Sequence, residues 1–165
     1  MYYSRYSSPI GTLLLVGDDE CLLNIDFPNA LRPITLQPDW EHNDDPFNAI
    51  KAELDAYFNG TLTTFTIPVR PAGTEFQKSV WTALLNIDFG ETRSYREIAL
   101  AIEKPKAVRA VGAANGANPI PIVIPCHRVI GSNGALTGFG GGLASKQWLL
   151  SHEAGNLPLF PFEDC

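Results

Sequence analysis

With 165 residues, 18.0 kDa, 45% apolar and 18% charged residues, the chain has the size and composition of one large or two small packed domains. That excludes a disordered or low-complexity chain, and three scattered cysteines, Cys21, Cys126 and Cys165, exclude a disulfide-knotted miniprotein and a zinc ribbon. The net charge of −6 falls wholly within residues 1–70, whereas residues 92–128 carry a local +4 from Arg93, Arg96, Lys104, Lys106, Arg109 and Arg128 against Glu97 and Glu103, the sign that a phosphate backbone attracts.

The first elements read as an antiparallel meander: Tyr2 to Tyr6, a turn at Ser8-Pro9-Ile10-Gly11, Thr12 to Val16, a turn at Asp18-Asp19, then Cys21 to Phe27. Residues 28–45 are punctuated by Pro28, Pro33 and Pro38 and show no period, ending in Asp45-Pro46, an N-cap and first helical position. The predicted helix carries Phe47, Ile50, Leu54 and Phe58 on one stripe and stops at Asn59-Gly60. Thr61 to Val69 alternates through Phe65, Ile67 and Val69 and predicts a further strand, and Arg70-Pro71-Ala72-Gly73 marks the boundary between a domain of residues 1–70 and one of residues 74–165.

In the second half, Thr74 and Gln77 have capping-box spacing ahead of a helix with Phe76, Val80, Trp81, Leu84 and Leu85 inward. Ser94-Tyr95-Arg96-Glu97 is a second capping box, opening a short helix with Ile98 and Ile102 inward. After a turn at Glu103-Lys104-Pro105, another short helix runs from Lys106 to Asn115 and buries Val108 and Val111. Two short helices inside the basic window have the form of a helix-turn-helix, and Arg109 stands among the small residues Ala110, Gly112 and Ala113, which let a backbone approach another surface or pack tightly within the fold. Ile120 to Ile124 reads as a buried strand disturbed by Pro121 and delivers Pro125-Cys126-His127-Arg128 at its end. A glycine-rich loop, a helix from Leu143 to Glu153 and a poorly specified tail of ten residues complete the chain. The apolar runs are too short for a bilayer span and no basic, apolar leader opens the chain, so the expected location is cytoplasmic, without membrane association.

A cysteine beside a histidine and an arginine is a candidate nucleophile, because nearby positive charge or a base raises the thiolate fraction. Cysteine also commonly just fills core space, and adjacent strand residues face opposite ways, so His127 reaches Cys126 only if the strand bends there or a water bridges them. Metal binding is the weaker reading, since neither Cys21 nor Cys165 lies at ligand spacing from the pair.

The run Ile124-Pro-Cys-His-Arg-Val-Ile-Gly131, preceded by Arg109-Ala-Val-Gly112 and Asn118-Pro119 and followed by Gly141-Gly142-Leu143, Trp148-Leu-Leu150 and His152-Glu153, resembles the O6-alkylguanine-DNA alkyltransferase family. The likeness is dense from Thr74 to Gly155 and looser over the acidic first part. It implies an α+β chain: an N-terminal ribonuclease-H-like antiparallel sheet with a helix, and a mostly helical C-terminal domain with a helix-turn-helix. It implies that Cys126 takes the methyl group of O6-methylguanine, and of O4-methylthymine, in a single irreversible turnover. His127 would act as base through a water, Glu153 would set its tautomer, Asn118 would order the thiol segment, and Tyr95 would protonate the leaving base. Arg109 would fill the gap left by a nucleotide flipped out through the minor groove, with Ala110, Gly112, Ala113, Ser94 and Arg128 also against DNA. Val129, Phe139, Gly140 and Gly141 would line the base pocket. The implied partner is alkylated double-stranded DNA, met by a monomer with no cofactor and no nucleotide.

The likeness has departures. The member best known from animals holds structural zinc through cysteines and histidines in its first part, but Cys21 has no such partners and His42 is isolated, so no zinc is expected. Phe139 and Gly140 replace a tyrosine and a serine found in some members, removing two hydroxyls. Regulatory members carry an extra activator domain that 165 residues do not accommodate, which points to a stand-alone repair protein. The rival readings are a lesion-binding module without transfer, which would lack Cys126, and a Cys126-His127 thiol hydrolase, which would need an oxyanion hole and repeated turnover. An S-adenosylmethionine-dependent methyltransferase is disfavoured, because no glycine-rich turn follows an early strand and opens a helix.

Overall fold

Alternation of inward and outward side chains builds the first sheet. In the computed structural model, which describes residues 1–155, strand β1 (Tyr2–Ser8) turns Ser4 and Tyr6 inward and Arg5 outward. Strand β2 (Gly11–Gly17) pairs with it antiparallel, placing Tyr6 opposite Leu13 and Ser4 opposite Leu15, and β3 (Leu22–Asp26) continues the meander with Ile25 opposite Leu15. A fourth strand, β4 (Glu41–His42), lies parallel to β1, giving the order β3-β2-β1-β4. Two residues at the end of a proline-punctuated stretch carry no period, which is why β4 was not expected. The tail 156–165, with Cys165, lies outside the described residues.

A 3-10 turn at Asp45–Phe47 leads into α1 (Asn48–Phe58). Asp45 is not the cap; the cap position is Asp44, one residue earlier than expected and without a side-chain cap bond, and Asn43 Oδ1 accepts from the Asp45 backbone N–H at 3.1 Å just ahead of the turn. Ile50, Leu54 and Tyr57 are the buried stripe, with Phe58 only half-buried. The alternation of Thr61 to Val69 is real, since Leu62, Phe65, Ile67 and Val69 pack against the core, but no strand forms. The Glu53 carboxylate takes the N–H and hydroxyl of Thr66, so the backbone bonds that a sheet would use are satisfied by a side chain, and only Val69 bridges to Leu22.

In the second half the capping box at Thr74 and Gln77 is fully formed and opens α2 (Glu75–Leu84). Val80, Trp81 and Leu84 are buried, whereas Leu85, expected inward, is the C-cap and is 53% exposed. Ser94 caps α3 (Tyr95–Ala101) by accepting from the Glu97 N–H, and α4 (Val108–Gly116) packs on both α2 and α3. Trp81 Nε1 donates to Ala114 O at 2.9 Å and ties α2 to α4. Ile120–Ile124 is buried but is not a strand. Pro121 has no N–H to give, and Asn118 closes the segment on itself, Oδ1 accepting from Ile120 N at 3.0 Å and Nδ2 donating to Ile124 O at 2.7 Å. A short parallel pair, β5 (Arg93–Ser94) with β6 (Val129–Ile130), and α5 (Leu143–Glu153) complete the half.

The two halves share one core. Ile25 N donates to Pro119 O at 2.9 Å, Leu31 N to Gly140 O at 3.1 Å, and the Phe27 and Phe139 rings meet edge-on at 5.4 Å. No helix among the described residues is long and apolar enough to cross a membrane.

Candidate active site

Cys126 begins a 3-10 turn, Cys126–Arg128, rather than ending a strand, so successive side chains fan out by about a third of a turn instead of alternating. The turn is held from outside. Asn118 binds the carbonyl of Ile124, Asn115 Nδ2 donates to the Cys126 carbonyl at 3.2 Å, and Ile122 takes a left-handed φ of 74°, a costly conformation for a β-branched residue that the buried surroundings enforce.

His127 is fully buried, and its Nε2 lies 2.7 Å from Glu153 Oε2. An ionised carboxylate only accepts, so Nε2 carries the proton and Nδ1 keeps its lone pair; Nδ1 has no hydrogen-bond partner among the described residues. Glu153 also receives Arg128 Nε at 2.7 Å and Nη2 at 3.1 Å, and Arg128 Nη1 donates to Ile87 O. Burial opposes ionisation of Glu153, but the hydrogen bonds and charge of His127 and Arg128 outweigh it and hold the carboxyl well below the ordinary range. Burial, helped by the charges of Arg128 and Lys146, lowers the pKa of His127, which is therefore a neutral base at rest.

Burial pushes the Cys126 thiol up to about 11, against the Asn118 amide, the Lys146 charge and the backbone N–H groups of Cys126 and His127, all of which favour the thiolate. The resting sulfur is thus a protonated thiol surrounded by groups that stabilise its anion. Lys146 is completely buried, donating to Val129 O and, at 2.9 Å, to Thr137 O, and its ammonium lies 6.0 Å from the Tyr95 ring centre. The Tyr95 hydroxyl donates to the same Thr137 carbonyl at 3.0 Å and accepts from Thr137 Oγ1 at 3.1 Å. Tyr95 and Lys146 thereby pin the glycine loop 131–142 beside the thiol segment.

His127 is joined to Glu153, and Asn118 to the segment that ends at Cys126, while Tyr95 approaches this group only through Thr137 and Lys146. On α4, Arg109, Ala110 and Ala113 are exposed, with Gly112 half-buried against the Tyr95 ring, and Ser94 is committed to capping α3. Two expectations change. Arg128 is 6% exposed and locked to Glu153, so it holds the carboxylate instead of reaching a phosphate. Phe139 and Gly141 both face Phe27: a Cβ on Gly141 would fall 2.6 Å from that ring, so these residues seat the loop on the N-terminal sheet rather than presenting themselves to a base. Val129 is buried in β6, and Gly140 is half-buried. Sequence reasoning missed Lys146, Asn115 and Tyr57, whose hydroxyl also reaches Glu153. Lys146 was within reach of the helical period, because Lys146, Leu149 and Glu153 fall on one face of α5. Among the described residues no group of three His, Cys, Asp or Glu side chains is placed to hold a metal ion.

Comparison with known proteins gives a single answer. Residues 1–71 match the family model described as 6-O-methylguanine DNA methyltransferase, ribonuclease-like domain, and residues 75–155 match the DNA binding domain of the same description. A methylated-DNA–protein-cysteine methyltransferase of Methanosarcina barkeri is 51% identical over 95% of this chain and 99% of its own length; that of Haemophilus influenzae is 47% identical over 93% of this chain and 86% of its own. The crystal structure of Mycobacterium tuberculosis OGT in complex with DNA superposes with a TM-score of 0.89 at 46% identity, covering 96% of both chains.

Proposed function

The chain belongs to the 6-O-methylguanine DNA methyltransferase family, and from that premise we propose how its own residues carry out the direct transfer of a methyl group from alkylated DNA to a protein cysteine. Cys126 is the acceptor. Its sulfur attacks the methyl carbon in line: the S–C bond forms, the C–O6 bond breaks, and the electron pair of that bond returns to the base. The thiol proton passes through one water to Nδ1 of His127, the ring nitrogen that the Glu153 carboxylate leaves unprotonated. Tyr95 protonates the leaving guanine, which requires its hydroxyl to turn away from Thr137 O. The products are a thioether and a repaired guanine.

A thiol with a pKa near 11 is mostly protonated at neutral pH. The proton therefore leaves as the lesion docks, into the positive surroundings of Lys146 and the backbone amides, which stabilise the transient anion. A methyl carbon stacked within a duplex offers no back-side approach to the sulfur of a cysteine that is only 3% exposed, which supports extrusion of the nucleotide. Exposed Arg109, among small residues on α4, is suited to enter the vacated step from the minor groove. Residues 1–70 act as the ribonuclease-like half and residues from 74 onward as the half that binds DNA and reacts. We place the chain in the cytoplasm, where unpaired thiols such as Cys21 and Cys126 persist.

The observation that carries this reading is the 2.7 Å contact of His127 Nε2 with the Glu153 carboxylate, beside a thiol ringed by anion-stabilising groups. Intact-mass analysis after mixing with duplex containing O6-methylguanine tests it. The expected result is one methyl increment on the Cys126 peptide, no second turnover, and neither event in Cys126→Ser. Loss of the lesion with Cys126 unmodified would overturn it.

A further inference from the structure

We infer that Tyr57, from the first half of the chain, is a positioning residue for methyl transfer, its hydroxyl holding the carboxylate that orients His127. The inference rests on the reading of Cys126 and His127 given above. Tyr57 lies on the last turn of α1, fully buried, and donates to Glu153 Oε2 at 2.6 Å across 96 residues of sequence. That oxygen is the one that receives His127 Nε2, at 2.7 Å. Tyr57 and His127 therefore share one acceptor, while Arg128 forks across both carboxylate oxygens.

The hydroxyl is the informative atom. The Tyr57 ring packs against Phe58, Phe65, Phe89 and His152, an aromatic box that a phenylalanine would fill without bringing in a polar group that needs a partner. Burial and the Glu153 charge raise the phenol far above its ordinary pKa, so its proton stays on oxygen and the group is a standing donor. The Tyr57 carbonyl is fixed as well, accepting from His152 Nε2 at 2.7 Å. Donation to Oε2 has two consequences. It limits carboxylate rotation about the Arg128 fork, and it draws negative charge away from the atom that faces the imidazole, which weakens the pull of Glu153 on a second His127 proton. The other charged groups bearing on the His127 ring are Arg128 from its own turn and Lys146 from α5, both of which already disfavour protonation, while the Cys126 thiol meets the His127 backbone N–H.

Tyr57→Phe tests the inference through the single-turnover rate constant for methyl transfer across pH. The expected result is a rate roughly tenfold lower near neutrality, the loss of one charge-assisted hydrogen bond, with the acid limb of the profile displaced to higher pH so that the deficit narrows as pH rises. Phe65→Leu trims the same aromatic box without touching the carboxylate and is expected to lower Tm while leaving the shape of the profile unchanged. Placing 3-fluorotyrosine at position 57 preserves the packing and strengthens the donor, and should move the acid limb to lower pH; this arm decides the matter even if Tyr57→Phe folds poorly. A Tyr57→Phe rate equal to wild type, a deficit of the same size at every pH, or an unmoved profile with the fluorinated residue would overturn the inference. Wild-type protein that leaves Cys126 unmodified would instead overturn the reading of the site itself.

Discussion

At the scale of single residues, Arg128 and Lys146 show how far a charged side chain's role depends on what closes over it. Both belong to a half of the chain that binds DNA, and both are buried, one forked onto Glu153 and the other capping two carbonyls of the thiol and glycine segments. Removing one partner of a buried ion pair leaves the other charge unpaired, which costs about 3–5 kcal/mol. Arg128→Ala should therefore lower stability by that amount in urea unfolding, while the salt dependence of duplex binding, measured below the unfolding transition, stays at the wild-type slope. A residue on a phosphate would do the reverse, reducing the slope with little cost in stability. The DNA contact that the family resemblance implies for Arg128 gives way to burial, because a sequence shows its charge and not its neighbours; the carboxylate that claims it is 25 residues away.

At the scale of elements, α3 and α4 divide the work between core and surface. Ile98, Ala99, Val111 and Ala114 bury the inner face, and Trp81 bonds to the Ala114 carbonyl, so α4 is a rigid platform. Its outer face carries Arg109, Ala110 and Ala113, small residues beside one long cation. Arg109→Ala should reduce the transfer rate on an O6-methylguanine duplex at least tenfold more than the rate on free O6-methylguanine, since only the duplex has a stack to refill, and the estimate follows from losing a few kcal/mol of support for an unstacked step. Equal losses on both substrates would remove from Arg109 the proposed role of entering the vacated step. The glycine loop is seated from both halves: Gly141 lies against Phe27 and Leu31 N reaches Gly140 O, while Tyr95 and Lys146 hold Thr137.

At the scale of the whole molecule, the buried titratable groups set a window of stability. The native state keeps His127 neutral, while the unfolded chain binds a proton below the ordinary value of 6.5, so stability falls as pH drops through that region. Glu153, depressed in the native state, adds a second loss once pH passes below 4.5. On the alkaline side the unfolded Cys126 ionises near 9.0 and the native one near 11, so stability falls again above pH 9. Urea midpoints should therefore be highest between about pH 6.5 and 9 and decline on both sides. A midpoint unchanged between pH 7.5 and 5.5 would mean that His127 is not held neutral.

The sequence by itself determined the elements whose signals are local. The meander, α1, the capping box of α2, the paired helices α3 and α4, and α5 from Leu143 to Glu153 all follow from turn chemistry, capping residues and side-chain period acting over a few neighbours. The motif around Cys126 also carried the resemblance to the family, because the order of its residues along the chain is itself a pattern. What tertiary structure alone decided were the places where a distant group took over a backbone or a charge. Glu53 captured Thr66 and cancelled a strand; Asn118 folded Ile120–Ile124 back on itself; Glu153 drew the neighbours His127 and Arg128 together with Tyr57 of the first half. Buried polar atoms must find partners wherever the packed core brings them, and that search is three-dimensional, so its outcome is absent from any local window of the chain.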